Sequence, residues 1–287
     1  MRDLSTGVEH LSINTATLRK QLPLPAIVEA CARRGIAAVD PWRDQVAAAG
    51  LAATARLLRD AGIRLSGYCR GGFFPAADAG GLAAALEDNR RAVDEAKALA
   101  APCLVLVVGS LPGALAGRPA HKDIALARAQ VEEGIAATLE YARGVGMPLA
   151  IEPLHPMQAA DRACINTLAQ ALDICDRLDP GRSGALGVAV DIYHVWWDPE
   201  LARQIARAGR ERLLAYHVCD WLVPTRDLLN DRGMMGDGVV ELRKIRGWME
   251  AAGFAGPVEV EIFSEAWWSR PAEEVLDACI ARCKTVV

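Results

Sequence analysis

The sequence predicts a single (β/α)8 barrel, and three observations lead to that prediction. Short apolar runs alternate with amphipathic helical segments along the chain, and this alternation occurs eight times. Parallel strands need crossover helices between them, so the alternation indicates a parallel sheet. Eight units in 287 residues suit a closed barrel. The alternative, an open doubly wound sheet, typically has a glycine-rich phosphate-binding loop after its first strand, and the sequence has none there.

The predicted strands are short runs rich in apolar residues. In chain order they cover residues 11–17, 37–43, 64–70, 103–109, 148–155, 186–194, 213–220 and 257–264. The segments between them, such as 26–34 and 51–61, carry apolar residues every three or four positions, which predicts helices with one buried face. Several helices are expected to end at a glycine that adopts the left-handed conformation. These glycines are Gly35, Gly62, Gly146 and Gly253.

Composition limits the class of protein. Apolar residues make up 52% of the chain and no linker divides it, so we expect residues 1–287 to form one catalytic domain. The 32 basic and 36 acidic residues give a net charge of −4, which argues against a nucleic-acid partner. No apolar run approaches the ~18–20 residues of a membrane span, and the first residues do not resemble a signal peptide. We therefore expect a cytoplasmic protein without a membrane partner.

Ionisable residues follow or end four late strands. In a barrel the carboxyl ends of the strands carry the active site, and a lone buried carboxylate there is costly unless it is paired or binds a metal. The four residues are Glu152, Asp191, His217 and Glu261. Three oxygen ligands and one nitrogen suit one divalent cation, with Mn²⁺ preferred and Mg²⁺, Co²⁺ or Zn²⁺ as alternatives. The competing interpretation is that each residue is an ordinary solvated or ion-paired group at a strand end.

Two details of this predicted metal site remain open. Glu259 lies on the same face of its strand as Glu261, and we choose Glu261 because it is nearer the carboxyl end. Three carboxylates exceed the charge of one dication, so an anionic substrate would need nearby arginines. Arg43, Arg70 and Arg226 are available for that purpose.

The segments around these residues resemble the metal-binding strands of the xylose-isomerase-like sugar isomerase/epimerase superfamily. The segments are Glu152-Pro153, Asp191-Ile192-Tyr193-His194, His217-Val218-Cys219-Asp220 and Val258-Glu259-Val260-Glu261-Ile262-Phe263. The superfamily includes ketose 3-epimerases, hydroxypyruvate isomerase, inosose dehydratases and, more distantly, apurinic-site endonucleases. The resemblance implies a metal on Glu152, Asp191, His217 and Glu261. It also implies acid/base roles for the two glutamates and a substrate contact for His194.

The chain departs from the epimerase pattern in two places. Epimerases of the family carry a further glutamate shortly after the first ligand, whereas Glu152 is followed by Pro-Leu-His-Pro-Met-Gln. They also carry an arginine a few residues after the histidine ligand, whereas the first arginine after His217 is Arg226. We retain Arg226 as a candidate substrate contact.

Three further residues are candidate substrate contacts. His155 lies just past the Glu152 strand, although packing within its loop is an equal alternative. Arg70 and Trp42 follow early strands on the same side. The tryptophans after strand ends would suit either the C–H face of a sugar or a subunit contact, so a homo-oligomer is one expectation.

The leading functional hypothesis is a metal-dependent sugar isomerase or epimerase that acts on a ketose, aldose or keto-sugar through an enediolate. The alternative is a metal-dependent lyase on the same scaffold, which would dehydrate a keto-inositol or cleave a 3-keto-glycoside. Cleavage of damaged DNA would call for a histidine-rich site with several metal ions. The chain has only five histidines and a net negative charge, so this function is disfavoured. A sugar-binding barrel without turnover is disfavoured by the four candidate ligands.

Overall fold

A parallel sheet surrounded by helices forms the centre of the computed structural model, which describes residues 2–287. The strands are β1 (Leu11–Asn14), β2 (Ala38–Asp40), β3 (Arg64–Leu65), β4 (Cys69–Gly72), β5 (Leu104–Val107), β6 (Leu149–Ile151), β7 (Leu186–Asp191), β8 (Leu213–Val218), β9 (Asp220–Trp221), β10 (Arg232–Gly233) and β11 (Val258–Val260). Nine of them form the parallel sheet, in the order β3-β2-β1-β11-β8-β7-β6-β5-β4. The other two, β9 and β10, pair as a short antiparallel ribbon.

The sheet closes on itself through the segment 64–72. Its two end strands, β3 and β4, are successive parts of this one segment, which corresponds to the third predicted strand. From β3 to the start of β4 this segment stays hydrogen-bonded to the second predicted strand. Ser66 N donates to Val39 O at 3.1 Å, and Cys69 N donates to Pro41 O at 3.2 Å. Counting β3 and β4 as one barrel strand gives eight, and the predicted (β/α)8 barrel is confirmed.

The helices cover the outside of the sheet and the strand ends. They are α1 (Leu24–Arg33), α2 (Arg43–Ala49), α3 (Leu51–Ala61), α4 (Ala79–Ala98), α5 (Ile124–Val145), α6 (Leu168–Leu178), α7 (Ile192–Val195), α8 (Leu201–Arg212), α9 (Leu242–Ala251), α10 (Glu265–Trp268) and α11 (Ala272–Thr285). Short 3₁₀ turns cover Thr15–Leu18, Ala114–Ala116 and Pro156–Gln158. Over residues 2–287, no helix combines the length and the apolar character that a membrane crossing requires.

All eight predicted strands are present, but most end earlier than the apolar runs suggest. The first ends at Asn14, whose side chain accepts a hydrogen bond from Ala16 N and starts a 3₁₀ turn. The sixth ends at Asp191, whose side chain accepts from Tyr193 N and caps α7. A short polar side chain that captures a backbone N–H favours a helical turn over a continued strand.

Glycines end the helices as predicted and permit one close approach within the sheet. Gly35, Gly62, Gly146 and Gly253 all have positive φ, between 67° and 95°. In β4, Gly72 has a φ of 106°, and a Cβ on this residue would lie 1.9 Å from the carbonyl oxygen of Val107. Glycine is therefore required where β4 packs against β5.

The interior of the barrel is lined by small side chains that leave room for polar ones. Ala150, Ala189 and Ala215 form one buried cluster with neighbours on β4 and β5. Successive residues of a strand point to opposite faces, so the residue two positions later points inward as well. Those residues are Glu152, Asp191 and His217. The larger apolar core lies between the sheet and the helices.

Candidate metal centre and active-site cavity

The four predicted ligands lie together at the carboxyl ends of the strands. All four are buried, and one ligand atom from each lies within 4.8 Å of the others. The residues come from the ends of β6, β7, β8 and β11. They are Glu152, Asp191, His217 and Glu261. The inward alternation described above accounts for this convergence.

His217 lies at the centre of this cluster. Its Nδ1 is 3.2 Å from Glu152 Oε1 and 3.7 Å from Glu261 Oε2. On the other side of the ring, Nε2 is 3.4 Å from Glu259 Oε1. Burial alone would lower the pKa of His217, but these carboxylates raise it well above its usual value.

The donor set fits a divalent cation. Within residues 2–287, His217 Nδ1 and Glu152 Oε1 are buried without a well-formed hydrogen bond. Buried polar atoms normally have well-formed hydrogen bonds, and these two atoms, 3.2 Å apart, would both gain a partner from a cation bound beside them. Carboxylate oxygens and an imidazole nitrogen are ligands that Mn²⁺, Co²⁺ and Zn²⁺ accept.

Arg232 on β10 is a site residue that the sequence reasoning missed. Its Nη1 donates to Asp191 Oδ2 at 2.8 Å and to Glu261 Oε2 at 3.1 Å, and the side chain is buried. Three carboxylates exceed the charge of one dication by one, and the Arg232 guanidinium supplies that positive charge. The ribbon β9–β10 positions Arg232, because it pairs Gly233 with Asp220 and so returns the chain to the end of β8.

The carboxylates of the cluster differ in pKa. Burial would raise the pKa of Asp191, but the positive charge of Arg232 lowers it to about 2. Burial raises the pKa of Glu152 to about 7, with Glu261 and Asp191 adding to the rise and His217 opposing it. At neutral pH Asp191 is thus ionised, while Glu152 is poised to take up or release a proton.

A second polar layer lies beneath His217. Glu259 accepts hydrogen bonds from Asn14 Nδ2 at 2.9 Å and from Ser66 Oγ at 2.7 Å, so both of its oxygens have partners. Asp40 lies beside it, and burial together with the Glu259 charge raises the pKa of Asp40 well above its usual value. One ligand atom from each of Asp40, His217 and Glu259 also lies within 4.8 Å of the others. Because both Glu259 oxygens already accept hydrogen bonds, we interpret these residues as a hydrogen-bonded layer around the candidate metal site and not as a second metal site.

A cavity of about 400 Å³ opens above the cluster. Its wall includes three of the predicted substrate contacts, His194, Arg70 and Trp42. Burial lowers the pKa of His194 to about 3, so this ring is neutral. The remaining lining residues are Arg19, Lys20, Phe73, Val107, Glu152, Leu154, Gln158, Arg162, Tyr193, Leu228, Leu229, Asn230, Arg232, Glu261, Phe263, Glu265 and Trp268.

The structure does not bring the other two predicted contacts to this cavity. The ring of His155 stacks on Trp221 at 4.9 Å and meets the edge of Trp197 at 5.7 Å, which matches the alternative of packing within its loop. Arg226 is exposed, and its Nη2 donates to Asp231 Oδ1 at 2.8 Å. Local partners therefore hold both side chains away from the cavity.

Comparison with known proteins agrees with this architecture. The family model described as the xylose isomerase-like TIM barrel matches residues 28–283. The chain belongs to this family. Among xylose isomerase-like barrels of known structure, a protein from Sinorhizobium meliloti 1021 is 60% identical, with a TM-score of 0.92 over 97% of this chain and 98% of that one.

Two more distant relatives have more informative names. The IolI protein, solved with a bound zinc atom, has a TM-score of 0.81 and 19% identity over 97% of this chain and 98% of its own, which shows the shared fold. An inosose isomerase of Halalkalibacterium halodurans is 23% identical over 211 residues, 71% of this chain and 68% of that protein. One of these two relatives is thus named as an isomerase, and the other was solved with a metal ion.

Proposed function

We propose that this chain is a divalent-metal-dependent sugar isomerase or epimerase, with the whole barrel acting as one catalytic domain. The observation that carries the proposal is the convergence of four buried ligand atoms within 4.8 Å of one another, with Glu152 and Glu261 lining an open cavity. The inosose isomerase relative and the zinc atom of IolI support the same class of reaction and the same kind of cofactor.

Four residues would hold the metal ion: Glu152, Asp191, His217 and Glu261. The bound ion would supply electrophilic stabilisation of negative charge on a substrate carbonyl oxygen. Mn²⁺ is the ion that we propose, because oxygen ligands predominate, and Zn²⁺ is the alternative that the IolI structure supports.

The chain's own residues would move the substrate proton. Glu152 has a pKa of about 7, which suits a general base that removes a proton from the carbon next to a carbonyl. Glu261 comes from β11, separated from Glu152 by β7 and β8 in the sheet order, and would serve the opposite face of that carbon. The neutral His194 would bind a substrate oxygen, and Trp42 and Phe73 would limit the access of water.

A lyase on the same scaffold is the second candidate. The observation that favours it is the absence of a second carboxylate in Pro153–Gln158, the loop that follows Glu152. In that reaction one glutamate would remove the proton and the other would protonate a leaving group. An isomerase conserves the mass of its substrate, whereas a lyase releases water or an alcohol, so mass spectrometry of the products separates the two.

Solvent-deuterium exchange into ketoses, inososes and 3-keto-glycosides tests the proposal. The metal-loaded wild type should exchange the substrate proton, and Glu152→Gln and Glu261→Gln should each reduce turnover by about 10²–10⁴-fold while retaining metal. Glu132→Gln, on the outer helix α5, is the matched control and should resemble the wild type. Full turnover by both active-site variants would contradict the proposed acid/base roles.

A further inference from the structure

Five basic residues line the cavity, and two of them have no acidic partner within residues 2–287. The five are Arg19, Lys20, Arg70, Arg162 and Arg232. Arg19 pairs with Asp44 and Lys20 with Glu265. Arg232 is bonded to two of the candidate ligands. Only Arg70 and Arg162 face the cavity as unpaired cations.

Arg70 is held in place without an ion pair. It follows Cys69 in β4, and its guanidinium lies 4.1 Å from the centre of the Phe73 ring and 5.9 Å from that of Trp42. Burial lowers the pKa of Arg70 to about 10, with the positive charge of Arg162 adding to the fall and the more distant Glu152 opposing it. A half-buried cation beside a second cation is unfavourable, and a bound anion would relieve both effects.

The metal cluster does not need these two charges. Its three carboxylates would be balanced by one dication and Arg232. Arg43, a third arginine in this region, is bonded to Asp88 and Glu95 on α4 at 2.8–3.3 Å. The positive charge of Arg70 and Arg162 is therefore left over for a ligand.

We infer that Arg70 and Arg162 form an anion subsite, and that the substrate is a keto-sugar bearing an anionic group, either a carboxylate or a phosphate. This inference rests on the proposed function, because the subsite opens into the same cavity. Planar guanidinium groups pair with two oxygens of either anion.

A phosphate cradle elsewhere in the loops is already filled. Glycine-rich turns can bind phosphate through successive backbone N–H groups, and the turn 233–238 is a candidate. However, the Asp220 carboxylate accepts hydrogen bonds from Gly236 N at 2.8 Å and from Val240 N at 3.0 Å. The chain's own carboxylate therefore occupies this turn, so the turn is not open to a substrate anion.

Three related probes test this subsite. D-fructose, D-fructuronate and D-fructose 6-phosphate share a keto-sugar chain and differ at one end, which is neutral, a carboxylate or a phosphate. Calorimetric titration of the Zn²⁺-loaded wild type should show fructuronate, fructose 6-phosphate or both binding about 10–100-fold more tightly than fructose, and the tighter of the two identifies the anion. Arg70→Met and Arg162→Met should each remove most of that preference, because they weaken binding of the anionic sugars far more than binding of fructose. Arg203→Met, on the outer helix α8, is the matched control and should keep the preference.

Two outcomes would overturn the inference. They are equal binding of fructose and of both anionic sugars, and a preference for an anionic sugar that survives both variants. Zinc titration of the same preparations separates this inference from the proposed function. If the wild type binds one zinc ion per chain but shows no preference for an anionic sugar, only the substrate class is refuted, whereas a wild type that binds no zinc refutes the metal site itself.

Discussion

Replacing Glu259 by glutamine is expected to weaken metal binding while the barrel stays folded. Glu259, the alternative to Glu261 as a ligand, lies directly under His217, with Oε1 3.4 Å from Nε2. A carboxylate in this position favours a proton on Nε2, which leaves Nδ1 free to bind a metal. Glu259 is therefore a positioning residue for the candidate ligand.

The size of the effect follows from the contacts that glutamine can keep. The carboxylate accepts from Asn14 Nδ2 and Ser66 Oγ. A glutamine oxygen can retain the Asn14 contact, and its NH₂ group can donate to the Ser66 hydroxyl, so the cost in folding free energy should be about 1 kcal/mol. The negative charge facing His217 is lost, and removal of such a partner typically reduces metal affinity by about 10–100-fold.

Zinc and cobalt titrations monitored by calorimetry and by the Co²⁺ absorption spectrum measure this effect directly. Ser66→Ala is the matched control, because it removes one hydrogen bond to Glu259 but leaves the carboxylate in place. It should change the metal affinity by less than about threefold. Wild-type affinity and an unchanged Co²⁺ spectrum in Glu259→Gln would refute the positioning role.

Two further predictions concern pH and stability. Burial raises the pKa of Glu152 to about 7, so protons compete with the metal below that pH. Metal affinity should therefore rise by up to about tenfold between pH 6 and 7, and above pH 7 Glu152 should contribute no further rise. An affinity that does not change between pH 6 and 7 would contradict the raised pKa of Glu152. Arg212, fully buried, donates to Leu186 O at 2.9 Å and to Asp179 O at 2.6 Å. Arg212→Met should therefore lower the free energy of urea unfolding by about 2–4 kcal/mol, and a loss below about 0.5 kcal/mol would show that these bonds are dispensable.

The barrel and the four-residue cluster could be predicted because both follow from local periodicity. Apolar runs separated by amphipathic helices identify the strands. Because side chains alternate between the two faces of a strand, the residue two positions after each interior alanine also points into the barrel. The strand ends were less predictable, since the capping side chains of Asn14 and Asp191 turn the backbone before the apolar run is over.

The charge partners of the cavity could not be found from the sequence, because they lie far apart along the chain. The sequence predicts that Arg43 is available for an anionic substrate. That prediction is wrong, because Arg43 is bonded to Asp88 and Glu95 on α4, 45 and 52 residues away. Arg226 was chosen because it is the first arginine after His217. The ribbon β9–β10 instead positions Arg232 at the site. Its strands have only two residues each, which is too short for a recognisable hydrophobic pattern in the sequence.

The central claim is that Glu152, Asp191, His217 and Glu261 hold one divalent metal ion. Anomalous diffraction from crystals of the wild type grown with Mn²⁺ or Zn²⁺ tests it most directly. We predict one strong anomalous peak per chain, within about 2.0–2.4 Å of an atom from each of the four side chains, and no peak in His217→Ala crystals prepared in the same way. A wild-type crystal without a peak in this cluster, or a peak that persists at full height in His217→Ala, would contradict the account.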